Sequence, residues 1–366
     1  MTELAGEQNP FLRYRERLDS YDAVRTGRLS DDRFVELVEQ LDASVASVGG
    51  VGFRVTPVID GAALVPPASS ARLSIKVDVG NVAGSHKARH LFGVALHLLV
   101  DEAAAGHPVP SRLAIASCGN AALGAATVAK ALGRQLDVFV PTWADETVVD
   151  ALDSLDATVH RCERRTGEIG DPCYLRFREA VAEGAHSFSV QGTDTATTFD
   201  GGRTLGWEIE EQVGTPDALY IQVGGGALAT AVGRALPGAR LHPVQAEGCA
   251  PLNQAWKRLA PDFDFAAAAA HPDRYMTAWP NPSSLATGIL DDVTYDWLPL
   301  LRQTHATGGW PIVVPETVIE AAWTAARDRT DVAVCTTGTA GLAGLFSDPP
   351  IDADHAVVIF TGIDRT

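Results

Sequence analysis

The strongest constraint on this chain is an alternation between short apolar segments and stretches of ten or more residues with helical patterning. Strand signals fall near 54–59 and 73–79, with Pro66 and Pro67 breaking the segment between them. They return at LAIAS (113–117), LDVFVP (136–141), ATVHR (157–161), ALYIQV (218–223), LHPVQAE (241–247) and DHAVVIFTG (354–362). Helical patterning covers 10–48, where Phe34, Leu37, Val38 and Leu41 recur at three- and four-residue spacing. It fills the intervals near 85–105, 121–132, 145–155, 172–183, 202–213, 250–259 and 316–328, and a further helix runs from the glycines at 224–226 to about Leu236. Strands joined through helices run parallel and are covered on both faces. A chain of 366 residues has room for two such domains.

Composition narrows the function classes. The formal charge is −17, which argues against nucleic acid or an anionic membrane surface as partner, because both need a positive field. The longest apolar stretch, 91–100, is interrupted by Gly93 and His97 and is too short to span a bilayer. The opening MTELAGEQNP lacks the basic and apolar regions of a secretory signal. Five cysteines with no C-x-x-C pair make a disulfide framework or a zinc site poor readings, and no metal site is expected. A reduced, cytoplasmic setting is the expectation.

Four segments carry candidate chemistry. In NVAGSHKAR (81–89), Gly84 and Ser85 sit where a loop meets a helix, and Ser85 is placed to cap it. Lys87, one of only four lysines, then falls in the first turn, where the helix dipole opposes a positive charge and favours a nucleophilic amine. In SCGNAALG (117–124), Ser117, Asn120 and the amides of Gly119 and Ala121 offer donors to a carboxylate at the carboxyl end of a strand. VGGGAL (223–228) follows a strand and opens a helix, a place where backbone amides cradle a phosphate. Gly224, Gly226 and Ala229 also fit G-x-G-x-x-A, with Glu247 at the end of the next strand, so a dinucleotide such as NAD is a rival reading. In CTTGTAGL (335–342), hydroxyls are placed to bond a ring nitrogen without delivering a full charge.

Taken in order, these segments resemble the tryptophan-synthase-β-type (fold type II) family of pyridoxal-phosphate enzymes, and within it the threonine synthases. RYRERL (13–18), TP (56–57), VQAEGCAPL (244–252), SSLATGI (283–289) and TTGTAGL (336–342) are similar as well, so the likeness covers most of the chain. The resemblance implies two interleaved three-layer α/β/α domains, a smaller one at 81–190 and a larger one from 1–80 and 191–366, with the cofactor in the cleft between them. It implies that Lys87 bonds pyridoxal 5'-phosphate, that Asn120 meets its ring hydroxyl, and that Gly224, Gly225, Gly226, Ala227 and Leu228 hold its phosphate. Thr337 would face the pyridine nitrogen. Ser117, Cys118, Gly119 and Ala121 would clamp the substrate carboxylate, and Arg89 would either take a substrate phosphate or pair with one of the many acids. The NAD reading leaves Lys87, Asn120 and Thr337 without roles.

The chemistry implied is that of a lyase: elimination or replacement at Cβ or Cγ of a small amino acid such as O-phosphohomoserine. The alternative is a threonine or serine dehydratase, or a β-replacement enzyme on a serine or threonine derivative. A neutral hydroxyl at the ring nitrogen does not favour a protonated pyridine, and so favours prompt loss of a leaving group over transamination. The family is often dimeric, which makes a homodimer the expectation. The sequence departs from the family motif at His86, where Phe is usual, at Ala88, where Asp is usual, and at Ala227, which replaces a glycine.

Overall fold

A computed structural model describes residues 8–67, 69–350 and 352–365. Its strands, in chain order, are β1 (Val58–Asp60), β2 (Arg72–Val77), β3 (Arg112–Ala116), β4 (Gln135–Pro141), β5 (Thr158–Cys162), β6 (His186–Ser187), β7 (Ala218–Gln222), β8 (Arg240–Ala246), β9 (Ile312–Val314) and β10 (His355–Phe360). They form two sheets, ordered β5-β4-β3-β6 and β1-β2-β10-β7-β8-β9. Every pairing is parallel except β1 with β2. The chain divides into two compact units: residues up to Val55 with Asn81–Thr204, and Thr56–Gly80 with Leu205 onward.

The first unit holds the four-stranded sheet. The Lys87–Ala105 helix buries residues around most of its circumference, from Ala88 through Leu96, as a helix between packed layers must. The Asn120–Ala131 helix is rich in alanine, which lets it approach closely. A Cβ on Gly124 would lie 3.2 Å from the Ala88 nitrogen, so the two helices touch backbone to backbone there. Residues 8–55, expected with the larger domain, belong to this unit instead. Phe11 and Phe53 pack on Phe92, with ring centroids 4.3 and 4.8 Å away. The unit extends to Thr204, beyond the expected limit of 190, because the start of the Thr198–Val213 helix lies against the lysine helix. A Cβ on Gly201 would stand 2.1 Å from the Arg89 carbonyl oxygen.

The second unit places β10 and β7 at the centre of its sheet. One face packs Leu73, Ile75, Tyr220, Val244, Val358 and Phe360 against the helices Glu316–Arg329 and Ala340–Ser347. The other packs Leu219, Ile221, Leu241 and Ile359 against Ala227–Ala235, Pro251–Leu259 and Trp297–Ala306. The continuous apolar runs of the central strands follow from this burial on both sides. Lys76 is the exception on β2: its fully buried ammonium pairs with the equally buried Glu208 at 2.6 Å. Among the described residues no helix is long and apolar enough to cross a membrane, and the five cysteines are free.

Candidate active site

Within the first unit, the lysine turn is shaped by its backbone. The Asn81 side chain accepts from the Val82 amide at 3.0 Å. A short turn, Val82–Gly84, follows, in which Ala83 (φ 55°) and Gly84 (φ 64°) are left-handed. Ser85 is extended, and the helix begins at Lys87 with His86, not Ser85, in the cap position. The capping role expected of Ser85 is therefore corrected: its backbone is one residue too early, and its hydroxyl is buried without a protein partner. Lys87 does fall in the first turn.

The Ala88–Gly124 contact sets this turn beside the helix that starts at Asn120. That helix follows β3 through Ser117, Cys118 and Gly119, all partly exposed. The Gly119 amide donates to Ser117 Oγ at 3.4 Å. A Cβ on Gly119 would meet nothing within 4 Å, so the loop has open space at its bend. The first unit thus brings Lys87, Asn120 and the Ser117–Ala121 donors onto neighbouring helix starts.

Within the second unit, β7 ends at Gln222 and the Ala227–Ala235 helix opens after four intervening residues. Gly226 caps it at φ 101°, a conformation that favours glycine, and brings no side-chain cap to the helix's first amides. Gly224 is required by crowding, and Gly225 is tightly packed. A Cβ on Gly224 would stand 2.3 Å from Asp291 Oδ2 and 3.0 Å from Ile289 Cα, and one on Gly225 would stand 3.2 Å from Tyr295. Ala227 has helical backbone, so its departure from glycine costs nothing.

Thr337 belongs to the same neighbourhood through Gly288. The Gly288 amide donates to Thr337 Oγ1 at 2.9 Å, and a Cβ on Gly288 would lie 2.9 Å from Thr337 Cγ2. Thr336 Oγ1 donates to the Leu285 carbonyl at 2.8 Å. The segment 283–289, singled out in the sequence without a role, therefore runs between Thr337 and the glycine loop. With its oxygen accepting from Gly288, the Thr337 hydroxyl has its hydrogen to give to a neutral acceptor.

Three side chains bear on these readings. Arg89 is fully buried, and its Nη1 donates to Thr204 Oγ1 at 3.0 Å inside the first unit, an arrangement that weighs against its taking a substrate phosphate. Glu247, the acidic residue of the NAD reading, accepts from the backbone amide of Glu316 at 3.2 Å and so serves a helix start. His86 has both ring nitrogens buried and without protein partners. Burial holds its pKa well below the ordinary value, and the Lys87 charge adds to the effect. His90, missed in the sequence although it follows His86 by one helical turn, is also fully buried. Burial and then the Lys87 charge push its pKa down to about 3, opposed by its bond to the Thr198 carbonyl.

The residues present suit pyridoxal phosphate. A helix start behind three crowded glycines fits a phosphate. A threonine hydroxyl fixed by an amide fits an unprotonated pyridine nitrogen, and a helix-start lysine fits an aldehyde. The family model described as "Pyridoxal-phosphate dependent enzyme" matches residues 51–362. The chain is 29% identical over 212 residues to phenylserine dehydratase of Ralstonia pickettii, covering 57% of this chain and 61% of that protein. It is 30% identical over 161 residues to L-serine dehydratase of Saccharomyces cerevisiae, covering 40% of this chain and 47% of that protein. The chain therefore spans less than two thirds of the length of these curated relatives. Maize serine racemase shares the fold at a TM-score of 0.70 and 20% identity, covering 90% of this chain and 93% of that one. Threonine deaminase isoform 2 of Solanum lycopersicum does so at 0.69 and 20%, covering 92% and 91%. With residues 51–362 matched to that family model, the chain belongs to the pyridoxal-phosphate dependent enzymes.

Proposed function

We propose that this chain is a lyase that dehydrates and deaminates a small β-hydroxy amino acid. The observation that carries the choice is the burial of Arg89. A phosphate leaving group needs a cation that reaches it, and the guanidinium offered by the sequence for that purpose is bonded to Thr204 instead. A hydroxyl leaving group makes no such demand. The dehydratase names of the curated relatives support this reading over the threonine synthase likeness.

When bound, pyridoxal phosphate withdraws electrons from the bonds to the substrate's Cα. The chain's own residues do the rest. The Lys87 amine would hold the cofactor and, when free, would take the Cα proton. The amides from Gly224 to Leu228 would hold the phosphate, Asn120 would meet the ring hydroxyl, and Thr337 would donate to the ring nitrogen. Ser117, Cys118 and the Gly119 and Ala121 amides orient the carboxylate. The Cα–H and Cβ–O bonds break, the leaving hydroxide departs as water with one proton, and hydrolysis of the released enamine gives a 2-oxo acid and ammonia.

The test is incubation with serine, threonine, phenylserine and O-phosphohomoserine, reading 2-oxo acid, ammonia and inorganic phosphate. Oxo acid and ammonia from a hydroxy amino acid are expected. Phosphate and threonine from O-phosphohomoserine, with no oxo acid from the others, would overturn the reading. Beside this, Lys87→Ala should abolish a visible absorption band that borohydride removes from the wild type.

A further inference from the structure

In the first unit, four residues around the lysine turn hold buried polar atoms with no protein hydrogen-bond partner: Ser85 Oγ, both nitrogens of His86, His90 Nε2 and Thr198 Oγ1. Isolated exceptions of this kind occur in any protein, but a cluster of them in one place implies an occupant. Ser85 precedes His86, the His86 and His90 rings stand 5.8 Å apart edge to face, and His90 Nδ1 lies 2.8 Å from the Thr198 carbonyl oxygen. That last contact fixes the tautomer. A carbonyl only accepts, so Nδ1 carries the hydrogen, and Nε2 of the neutral ring is a bare acceptor. The charged groups that both rings feel are the cations of Lys87 and Arg89. The nearby carboxylate of Asp200 is engaged by His97 and Arg203. Imidazoles in that setting stay neutral and orient a partner instead of titrating.

We propose that Ser85, His86, His90 and Thr198 form a hydrated chamber beside Lys87, in which His90 Nε2 orients a bound water so that the water's oxygen faces the lysine nitrogen. Water is the occupant that meets the demands of the lining: it donates to Nε2, accepts from an imidazole or hydroxyl, and needs two to four polar partners. His90 is then a positioning residue. It does not take the proton; it steadies the Lys87 ammonium between removal of the Cα proton and its delivery to the leaving hydroxyl. This last role rests on the dehydratase reading, whereas the chamber itself does not.

The experiment joins two measurements on the cofactor-loaded enzyme. Long-range ¹⁵N–¹H spectra of histidine-labelled protein should show His90 as the neutral Nδ1–H form, with a nuclear Overhauser effect from its ring to a slowly exchanging water. His90→Asn keeps a donor for the Thr198 carbonyl but has no acceptor at the Nε2 position; His90→Gln restores an amide there. In His90→Asn we expect the water signal to vanish and kcat to fall about tenfold, with KM and the visible band unchanged, and in His90→Gln we expect most of the rate to return. A His90 ring with no water contact, or an Nε2 resonance that moves only when cofactor is loaded, would overturn the chamber. A water signal with kcat unchanged in His90→Asn would overturn the positioning role. A wild type inert toward every hydroxy amino acid would sink the dehydratase reading and with it the positioning role, while the spectra would still decide the chamber.

Discussion

Replacing Lys76 by Met removes a charge from the interior of the second unit while keeping most of the stem. Lys76 and Glu208 are both fully buried, with nitrogen and oxygen 2.6 Å apart. At an effective dielectric of about 20, unit charges at that separation attract by about 6 kcal/mol. Lys76 also donates to the Thr56 carbonyl and, at 2.9 Å, to Gln212 Oε1. Glu208 Oε2 receives the Thr56 amide at 2.9 Å and the Thr56 hydroxyl at 3.1 Å. The desolvation of two ions offsets much of the attraction in the wild type, so the pair itself contributes little net stability. Breaking it on one side is different, because Glu208 stays charged, buried and short of a partner. The expected loss is about 3–5 kcal/mol, or roughly 6–20 °C in melting temperature for a unit of this size. Urea and thermal unfolding of Lys76→Met against the wild type measure it. Lys76→Met/Glu208→Gln should recover most of the loss, since it removes both charges and leaves Thr56 an acceptor. A single-mutant loss below about 1 kcal/mol, or a double mutant no better than the single, would refute the reasoning.

Three further outcomes are expected. Gly201→Ala places a Cβ 2.1 Å from the Arg89 carbonyl oxygen, a backbone atom that cannot step aside, and should cost more than about 3 kcal/mol by thermal unfolding. Asp200 is buried, which alone would raise its pKa. The bond and charge of His97, then Arg203 and the Asp19 amide, outweigh this and lower it from 3.8 to about 2. Its folded-state pKa lies below the unfolded value, so its contribution is complete above about pH 4 and is lost as pH falls toward 2. Asp200→Asn should therefore cost about 2 kcal/mol at pH 7 in urea titrations, and a deficit that does not shrink in acid would contradict the assignment. Gly226→Ala forces a Cβ onto a backbone at φ 101° and within 3.2 Å of Asp296 and Thr294, so pyridoxal phosphate affinity, read by equilibrium dialysis, should drop at least tenfold.

Much of the fold is legible because the parallel sheets write themselves as apolar runs. Each expected strand has its counterpart, and the helix starts at Lys87, Asn120 and Ala227 fall where the turns at 84–86, 117–119 and 224–226 place them. What escapes notice is carried by few residues. β6 is two residues long, and β9 spans Ile312–Val314 between a helix and a proline, too short for a period to show. The affiliation of residues 8–55 depends on the rings of Phe11 and Phe53 finding Phe92, and nothing local in the sequence states that pairing. Gly288 is invisible as a supporting residue until the backbone brings its amide to Thr337. His90 carries a readable signal, the four-residue spacing from His86 on one helix face.

Arg89 shows why a motif read for its charges has to be read again for its depth. The residue lies two positions beyond Lys87, and a helix turns about 200° over that interval. If the lysine faces the reaction, the arginine faces away from it, into the packing of the first unit. There the Thr204 hydroxyl receives it, and Gly201 allows the helix carrying Thr204 to come close enough. Spacing alone therefore argues against a shared substrate role for the two cations, and the buried guanidinium agrees with that geometry. Substituting Lys for Arg89 should lower stability by about 1–3 kcal/mol, since an ammonium cannot reproduce the guanidinium's fork of donors in a buried site. It should leave KM for a hydroxy amino acid unchanged. A large rise in KM with stability intact would instead return Arg89 to the substrate and revive a phosphate-bearing one.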